Sequence, residues 1–505
     1  MKPAETLRRL VAGWPGDSLL PALLGAGATL GFAPWGWYGL TLIAPVGLLW
    51  LWRGVSDRRA AWRGFVFGLA HFALGIYWVF ISIHHYGGGP AWLAVLLVVS
   101  LATYMGLYPA LIGYVLKRRF DGQPALQALL VLPLLWLLAE LFRDWFGTGI
   151  PWLSLGYAFL DTPLSRLAPV VGVYGLGAVT VLLSGALWLV LVGPRHERVF
   201  ALLAGLAVLL CLPLLPASGE WTQDQGAPIE VSLVQGNIPQ ELKWRPGRRE
   251  MTQAHYRALT EPEWGRRLII WPEVAIPALR HQVQDYLNEL DATAKASGST
   301  LLTGVLVHDA PDAPLYNALL SLGIEQGAYY KRHLVPFGEF FPAPKWLLDI
   351  GSLLGLQYSD FSSGPDEQAP LSVDGTTLGV SICFEDVFGR DIRHALPDAG
   401  LLVNVTNDAW FEDSSAPHQH LQIARMRALE MGRTLLRVAN TGVSAVIGPD
   451  GQLTQTSPQF EVAVLRAQVT PRAGLTPYAR FGNAPLWVLS LAGLLALLFL
   501  MRRRA

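Results

Sequence analysis

The chain has 505 residues, balances 38 basic against 38 acidic side chains, and is 52% hydrophobic but only 15% charged. Average soluble chains carry about 25% charged residues, so this composition argues against a wholly soluble protein, and without a Lys/Arg-rich patch interleaved with aromatics it gives no basis for a nucleic-acid partner. Two cysteines, Cys211 in an apolar run and Cys383 far away in a polar region, cannot build a disulfide framework and are expected as free thiols.

A membrane span needs roughly 20 mostly apolar residues. In chain order, spans are predicted near 18–33, 38–53, 63–82, 91–115, 125–142, 168–192 and 199–215, and one more at 484–501. Basic residues mark one side of these spans. Lys2, Arg8 and Arg9 precede the first; Arg53, Arg58, Arg59 and Arg63 follow the second; Lys117, Arg118 and Arg119 follow the fourth; Arg195 and Arg198 follow the sixth; Arg502, Arg503 and Arg504 end the chain. The alternate loops "APWGWYG" and "IHHYGGGP" carry no Lys or Arg. Cytoplasmic loops are the basic ones, which predicts both termini inside and the polar domain outside. The expected organisation is a membrane domain at 1–216, an extracytoplasmic domain at 217–480, and a last span with a basic tail at 481–505. In a bacterium the outside is the oxidising periplasm.

Within the polar domain, β-branched runs such as "IEVSLVQGN", "RLIIWPE", "STLLTGVLV", "TTLGVSICFED" and "GLLVNVTNDAW" alternate with helical stretches. The latter are "REMTQAHYRALTEPEW", "QVQDYLNELDATAKAS" and "HQHLQIARMRALEMGR". Such alternation predicts α/β architecture. "PDG" at 449–451 reads as a hairpin turn.

Glu273, Lys331, Cys383 and the pair Asn407–Asp408 each follow a strand-like run, and sites in α/β proteins gather at the carboxyl ends of strands. A cysteine nucleophile needs a route to the thiolate. Glu273 is available as base. Lys331 is available as a cation that stabilises the thiolate and then an oxyanion. Glu339 in "PFGEF" would orient Lys331 or share the proton work. Taken singly these signals are weak: an apolar-flanked Cys is usually a core residue, and Glu385 and Asp386 also suit the acidic first turn of a helix. His418 and His420 are two apart, a poor pairing on a helix, and no Cys/His cluster has zinc spacing. Neither a metal nor a cofactor is expected.

The ordered set "WPEVAIP", "YYKRHLVPFGEFFP", "SICFED" and "NVTNDAWF" resembles the nitrilase superfamily. That resemblance implies an αββα sandwich with a Glu-Lys-Cys triad at Glu273, Lys331 and Cys383. "LVQGNIPQELKW", "NDAWFEDSSAPHQHLQIARMRALEMGR" and "LLRVANTG", with the layout of seven spans, an outside domain and a last span, are similar to one membrane branch, the apolipoprotein N-acyltransferases. Many members carry Tyr directly after the cysteine, where this chain has Phe384; the three triad positions are unaffected. The resemblance implies transfer of an acyl chain from a phospholipid, typically phosphatidylethanolamine, to the α-amino group of a diacylated apolipoprotein, through a thioester. It implies a phospholipid donor, an apolipoprotein acceptor and the bilayer as partners, a monomer, and the bacterial inner membrane as location. Trp244, Phe384, Glu385, Asn317 and Trp346 are the expected substrate contacts. Trp244 lies among basic residues in "IPQELKWRPGRR", and Trp346 lies in the apolar stretch 340–358, which reads either as a buried amphipathic helix or as an arm at the membrane interface. Two other readings stand beside this one: a membrane-tethered amidase with the same triad, and a transporter with an outside binding domain.

Overall fold

In hydrocarbon, every backbone polar group must be satisfied internally, which leaves long apolar runs the helix as their solution. The computed structural model of the protein, which describes residues 13, 15–217, 219–310, 312–341 and 360–502, divides into two compact units. One comprises 1–80, 91–217 and 481–505, the other 81–90 and 218–480.

The first unit is helical. Its main helices are Leu20–Thr29, Tyr38–Leu51, Asp57–Gly75, Ala91–Phe120, Leu132–Trp145, Ala168–Val192, Arg195–Cys211 and Ala484–Arg502. Among the described residues, four continuous stretches are long and apolar enough to cross a membrane: Ala91–Phe120, Pro124–Thr148, Pro163–Val192 and Arg195–Leu214. A fifth is added if Asp57–Gly75 and Val79–Tyr86, bent by 60° at their junction, count as one span. Eight segments are expected from composition; four or five meet the length criterion. The difference lies in helix length at the first two segments and at the last, whose described apolar helix is Ala484–Leu497. Leu20–Thr29 stops after 10 residues, ahead of the Gly- and Pro-containing stretch "LGFAPWGW", and Tyr38–Leu51 has 14. At about 1.5 Å per residue, 14 residues reach about 21 Å, against about 30 Å of hydrocarbon. Small residues let the longer helices approach: a Cβ on Gly68 would lie 2.8 Å from the Gly106 Cα, the close backbone contact that membrane helices use in place of a hydrophobic driving force.

Besides a short antiparallel pair of Gln223–Asp224 with Arg472–Ala473, the second unit contains two large sheets among its described residues. The strands are β1 (Ile229–Gln235), β2 (Leu268–Ile270), β3 (Ile276–Leu279), β4 (Thr300–Val307), β5 (Tyr316–Gly323), β6 (Gly327–Tyr330), β7 (Leu371–Val373), β8 (Thr376–Ile382), β9 (Ala399–Thr406), β10 (Leu435–Ala439), β11 (Ala445–Ile447), β12 (Leu453–Thr456) and β13 (Ala463–Val469). The first sheet has the order β13-β1-β2-β4-β5-β6, with β3 paired to β4; the second has the order β12-β11-β10-β9-β8-β7. β1, β2 and β4 run parallel, as do β8, β9 and β10. The "PDG" stretch joins β11 and β12, which pair antiparallel.

The period-2 alternation of strands builds a four-layer sandwich. Ile229, Val231 and Leu233 of one sheet share a buried cluster with Leu401, Val403 and Val405 of the other. The intervening positions face outward: Val234 packs with Tyr256, Leu287 and Leu290 from the helices Arg248–Thr260 and Gln284–Ser297. Leu402 packs with Leu421, Ala424 and Ala428 from the helix Ala416–Met431. This is the αββα arrangement expected of the polar domain. The segment 81–90 joins the same unit: the Ser82 hydroxyl donates to the Trp410 carbonyl at 3.0 Å, and His85 Nδ1 lies 2.8 Å from Glu412 Oε1.

Candidate active site

Strand ends bring the polar residues together. Glu273 follows β2, Lys331 follows β6 and Cys383 follows β8. The Lys331 ammonium is buried, 2.7 Å from Glu339 Oε1 and 3.5 Å from Glu273 Oε1. Asn317, on β5, donates through Nδ2 to Glu273 Oε1 at 2.8 Å and reaches Glu339 Oε1 at 3.5 Å. The other Glu339 oxygen accepts from the Val335 amide at 2.8 Å. Glu273, Glu339, Lys331 and Asn317 therefore form one hydrogen-bonded group. The loop that carries Glu273 lies so close to β4 that a Cβ on Gly304 would fall 2.2 Å from the Val274 nitrogen and 2.6 Å from the Pro272 oxygen. Glycine is the residue that permits this approach.

Cys383 is half-buried. It opens the turn Cys383–Val387 with φ +52°, the left-handed region that costs a side-chain-bearing residue roughly 1–2 kcal/mol. Burial pushes the thiol well above its ordinary pKa, the Glu273 carboxylate adds to the push, and the Lys331 ammonium opposes it. Lys331 is itself pulled down by burial, but Glu339, Glu273 and Cys383 outweigh that and hold it above the ordinary lysine value. The resting sulfur is thus a neutral thiol with a carboxylate and a fixed cation acting on it. Attack on a carbonyl needs the proton to leave as the bond forms. Glu273 can receive it, and Lys331 can hold the negative charge that develops on sulfur or oxygen.

The remaining expected residues divide. Glu385 is buried and bound by the protein itself: Oε1 accepts from the Arg332 and His333 amides at 2.6 and 3.1 Å, Oε2 from the Ile382 amide at 2.7 Å, and the Tyr329 hydroxyl donates to both. It clasps the end of β6, which carries Lys331, to the turn that carries Cys383, so its geometry supports positioning. Phe384 packs edge-on against His333 and Phe388 at 5.9 and 5.2 Å. Trp244 is 52% exposed. Its neighbour Lys243 is buried and donates to the Glu273 carbonyl at 3.3 Å; burial lowers its pKa to about 8 against the pull of Glu273. Trp346 and the stretch 342–359 lie outside the described residues.

Sequence reasoning missed Lys243 and the polar residues behind the cysteine. Arg437 sits inside the apolar strand β10, and such a charge needs a buried partner. That was the available signal. Its partners are Asn404 Oδ1 at 2.7 Å and Asp408 Oδ2 at 2.9 Å. His420, set aside as a poor pair with His418, bridges Asp408 and Asp386. Among the described residues no group of three or more His, Cys, Asp or Glu is arranged to hold a metal ion.

Two family models match the chain: the apolipoprotein N-acyltransferase N-terminal domain over residues 24–186, and carbon-nitrogen hydrolase over 230–478. A Methylococcus capsulatus protein named apolipoprotein N-acyltransferase is 43% identical over 477 residues, covering 94% of this chain and 94% of its own. Proteins of the same name from Photobacterium profundum and Azotobacter vinelandii are each 41% identical, covering 97% and 98% of this chain and 96% of their own lengths.

Proposed function

This chain belongs to the apolipoprotein N-acyltransferase family, and from that membership we propose that it moves an acyl chain from a phospholipid to the α-amino group of an apolipoprotein's diacylglyceryl-cysteine, through a thioester on Cys383. The observation that carries the mechanism is the electrostatic coupling of Cys383 to both Glu273 and Lys331, beside Glu339. The sulfur attacks the ester carbonyl of the phospholipid as its proton passes to Glu273. Lys331 holds the oxyanion of the tetrahedral intermediate. The carbon–oxygen bond then breaks, and Glu273 returns the proton to the departing lysophospholipid alkoxide. The acceptor amine attacks the thioester and gives its proton to Glu273. The carbon–sulfur bond breaks, and the thiol is restored. Glu339 and Asn317 keep Lys331 and Glu273 in register; Trp244 and Phe384 contact the substrates.

Both substrates carry lipid chains, and the apolar helices of the first unit suit a chain held in the membrane where they reside. Eight spans, both termini inside and the second unit on the periplasmic face of the bacterial inner membrane complete the reading. The positive-inside pattern and the expected domain limits at 216 and 480 support it.

Purified protein incubated with phosphatidylethanolamine is expected to gain the mass of one long acyl group on the peptide containing Cys383, and to lose it when a diacylated lipopeptide is added. A small acyl adduct from a soluble amide, with none from phospholipid, would favour the tethered amidase. Acylation of the lipopeptide by Cys383→Ala protein would end the mechanism.

Gly304→Ala tests how tightly Glu273 is placed. The added methyl group displaces the 272–274 loop, and a shift of about 1 Å at a reacting group costs about 100-fold in rate. The rate of Cys383 acylation is expected to fall by about that factor. A rate within twofold of the parent would show that the loop is free to adjust.

A further inference from the structure

Behind the sulfur lies a set of charges that the acyl transfer does not use. His420, on the helix Ala416–Met431, is buried with one ring nitrogen on each of two buried carboxylates. Nδ1 is 3.0 Å from Asp408 Oδ1, and Nε2 is 2.9 Å from Asp386 Oδ1. An ionised carboxylate only accepts, so both ring nitrogens are satisfied together only in the imidazolium, where both carry hydrogen. Arg437 completes the cluster, 2.9 Å from Asp408 Oδ2 and 3.5 Å from Asp386 Oδ2. All four side chains are at most 2% exposed, and two positive charges meet two negative ones.

The cluster touches the cysteine twice. His420 Nε2 lies 3.3 Å from the Cys383 carbonyl oxygen, which Asn404 Nδ2 approaches at the same distance. The Thr406 hydroxyl, which donates to Asp408 Oδ1 at 3.1 Å, acts to lower the thiol pKa against the burial that raises it. Cys383 holds a left-handed backbone, a conformation that persists only where the surroundings over-determine it.

We propose that doubly protonated His420 is a positioning residue for the nucleophile turn: its Nε2–H, shared between Asp386 Oδ1 and the Cys383 carbonyl, supports the left-handed conformation, and loss of the Nε2 proton releases the turn. The proposal rests on the reading of Cys383 as the nucleophile. Burial and Arg437 push the imidazolium down, but Asp386 and Asp408 outweigh them and lift its pKa to about 9. The ring therefore carries its charge at neutral pH. The charges that face it are Asp386 from the cysteine turn, Asp408 from the end of β9 and Arg437 from β10. The neighbouring helix Gly389–Arg393 directs its charges elsewhere: Asp391 to His333, Arg390 over the Phe388 ring, and Arg393 to the Ala479 and Arg480 carbonyls.

The test is the rate of Cys383 acylation by phosphatidylethanolamine between pH 6.5 and 10, for the full chain and for His420→Gln, whose amide keeps one donor but does not titrate. The parent is expected to lose rate as the pH rises past about 9. The variant is expected to be about tenfold to a hundredfold slower at pH 7, the span that support of one strained residue covers, and to lack that decline. An unchanged alkaline decline in the variant would overturn the proposal, because the titrating group would then lie elsewhere, Lys243 being the nearest candidate. If the variant fails to fold, ¹⁵N spectra of histidine-labelled parent protein decide. A buried imidazolium that holds its charge to above pH 8 supports the proposal, and a histidine set entirely neutral at pH 7.5 overturns it. A parent that forms no acyl-enzyme at any pH would defeat the proposed function, and the spectra would still judge the state of His420.

Discussion

Lys331→Ala is expected to lower acylation of Cys383 at least about 1,000-fold. Two losses combine. Removing one preorganised donor to an oxyanion costs about 100- to 1,000-fold. Disturbing a positioned general base costs about another 100-fold, and Lys331 lies between Glu273 and Glu339, both of which it contacts. Asn317 would then hold two carboxylates together with no cation between them. The Lys331 charge also opposes the burial that keeps Cys383 protonated, so the variant thiol should ionise at higher pH than the parent's. The checks are single-turnover acylation followed by intact mass, and the pH dependence of thiol alkylation. A variant that keeps more than about a tenth of the parent rate would leave the oxyanion to another donor.

Arg437→Leu is expected to destabilise the second unit by about 3–5 kcal/mol, the loss that follows when one partner of a buried ion pair is removed. For a unit of this size that lowers the melting temperature by about 10 °C. Leucine fills most of the volume within the strand, but it leaves Asp386 and Asp408 to share His420. The pH profile of stability carries a separate signature. His420 is lifted from its ordinary 6.5 to about 9, so its contribution is complete below pH 6.5 and is lost as the pH rises through 9. Asp408 is pushed up by burial, but Arg437 and His420 prevail and bring it down to about 2 from 3.8. Its contribution is complete above 3.8 and is lost as the pH falls toward 2. Stability from these groups should be flat between about pH 4 and 6.5 and decline on either side. Arg437 lowers both folded-state values, so the leucine variant should move the far ends of both declines, near pH 2 and pH 9, to higher pH, while the limits of the plateau stay in place. Chemical denaturation across pH 3–10 reads this directly. A loss below about 1 kcal/mol with both far ends unmoved would mean that the carboxylates reach water by themselves.

Glu385 shows where the site escapes a reading of the chain. Two adjacent acids after a cysteine suit substrate contact or the first turn of a helix. The structure instead spends both Glu385 oxygens on backbone amides from two segments about 50 residues apart in sequence, at Arg332 and at Ile382. Asn317 was named from its motif alone; the fold gives it a place, with Nδ2 bonded to the proposed base. Asn407 follows a strand-like run in the sequence, whereas Asn440 is placed only by the fold. They pin the loop before Trp244: Asn407 donates to Gln240, and Asn440 donates to the Ile238 carbonyl.

By itself the sequence determined the apolar segments and their helical state, the α/β character of the polar unit, and the strand-end placement of Glu273, Lys331 and Cys383. These follow from local periodicity, because a run of apolar residues or a period of two is written in consecutive positions. Only the tertiary structure decided which apolar helices reach spanning length, and which charges meet. Glu273 and Lys331 are 58 positions apart, and Asp386 and His420 are 34 apart. Pairing at such separations depends on how two sheets stack and which strand ends face each other. A buried charge announces that it needs a partner, but the chain alone does not say which one.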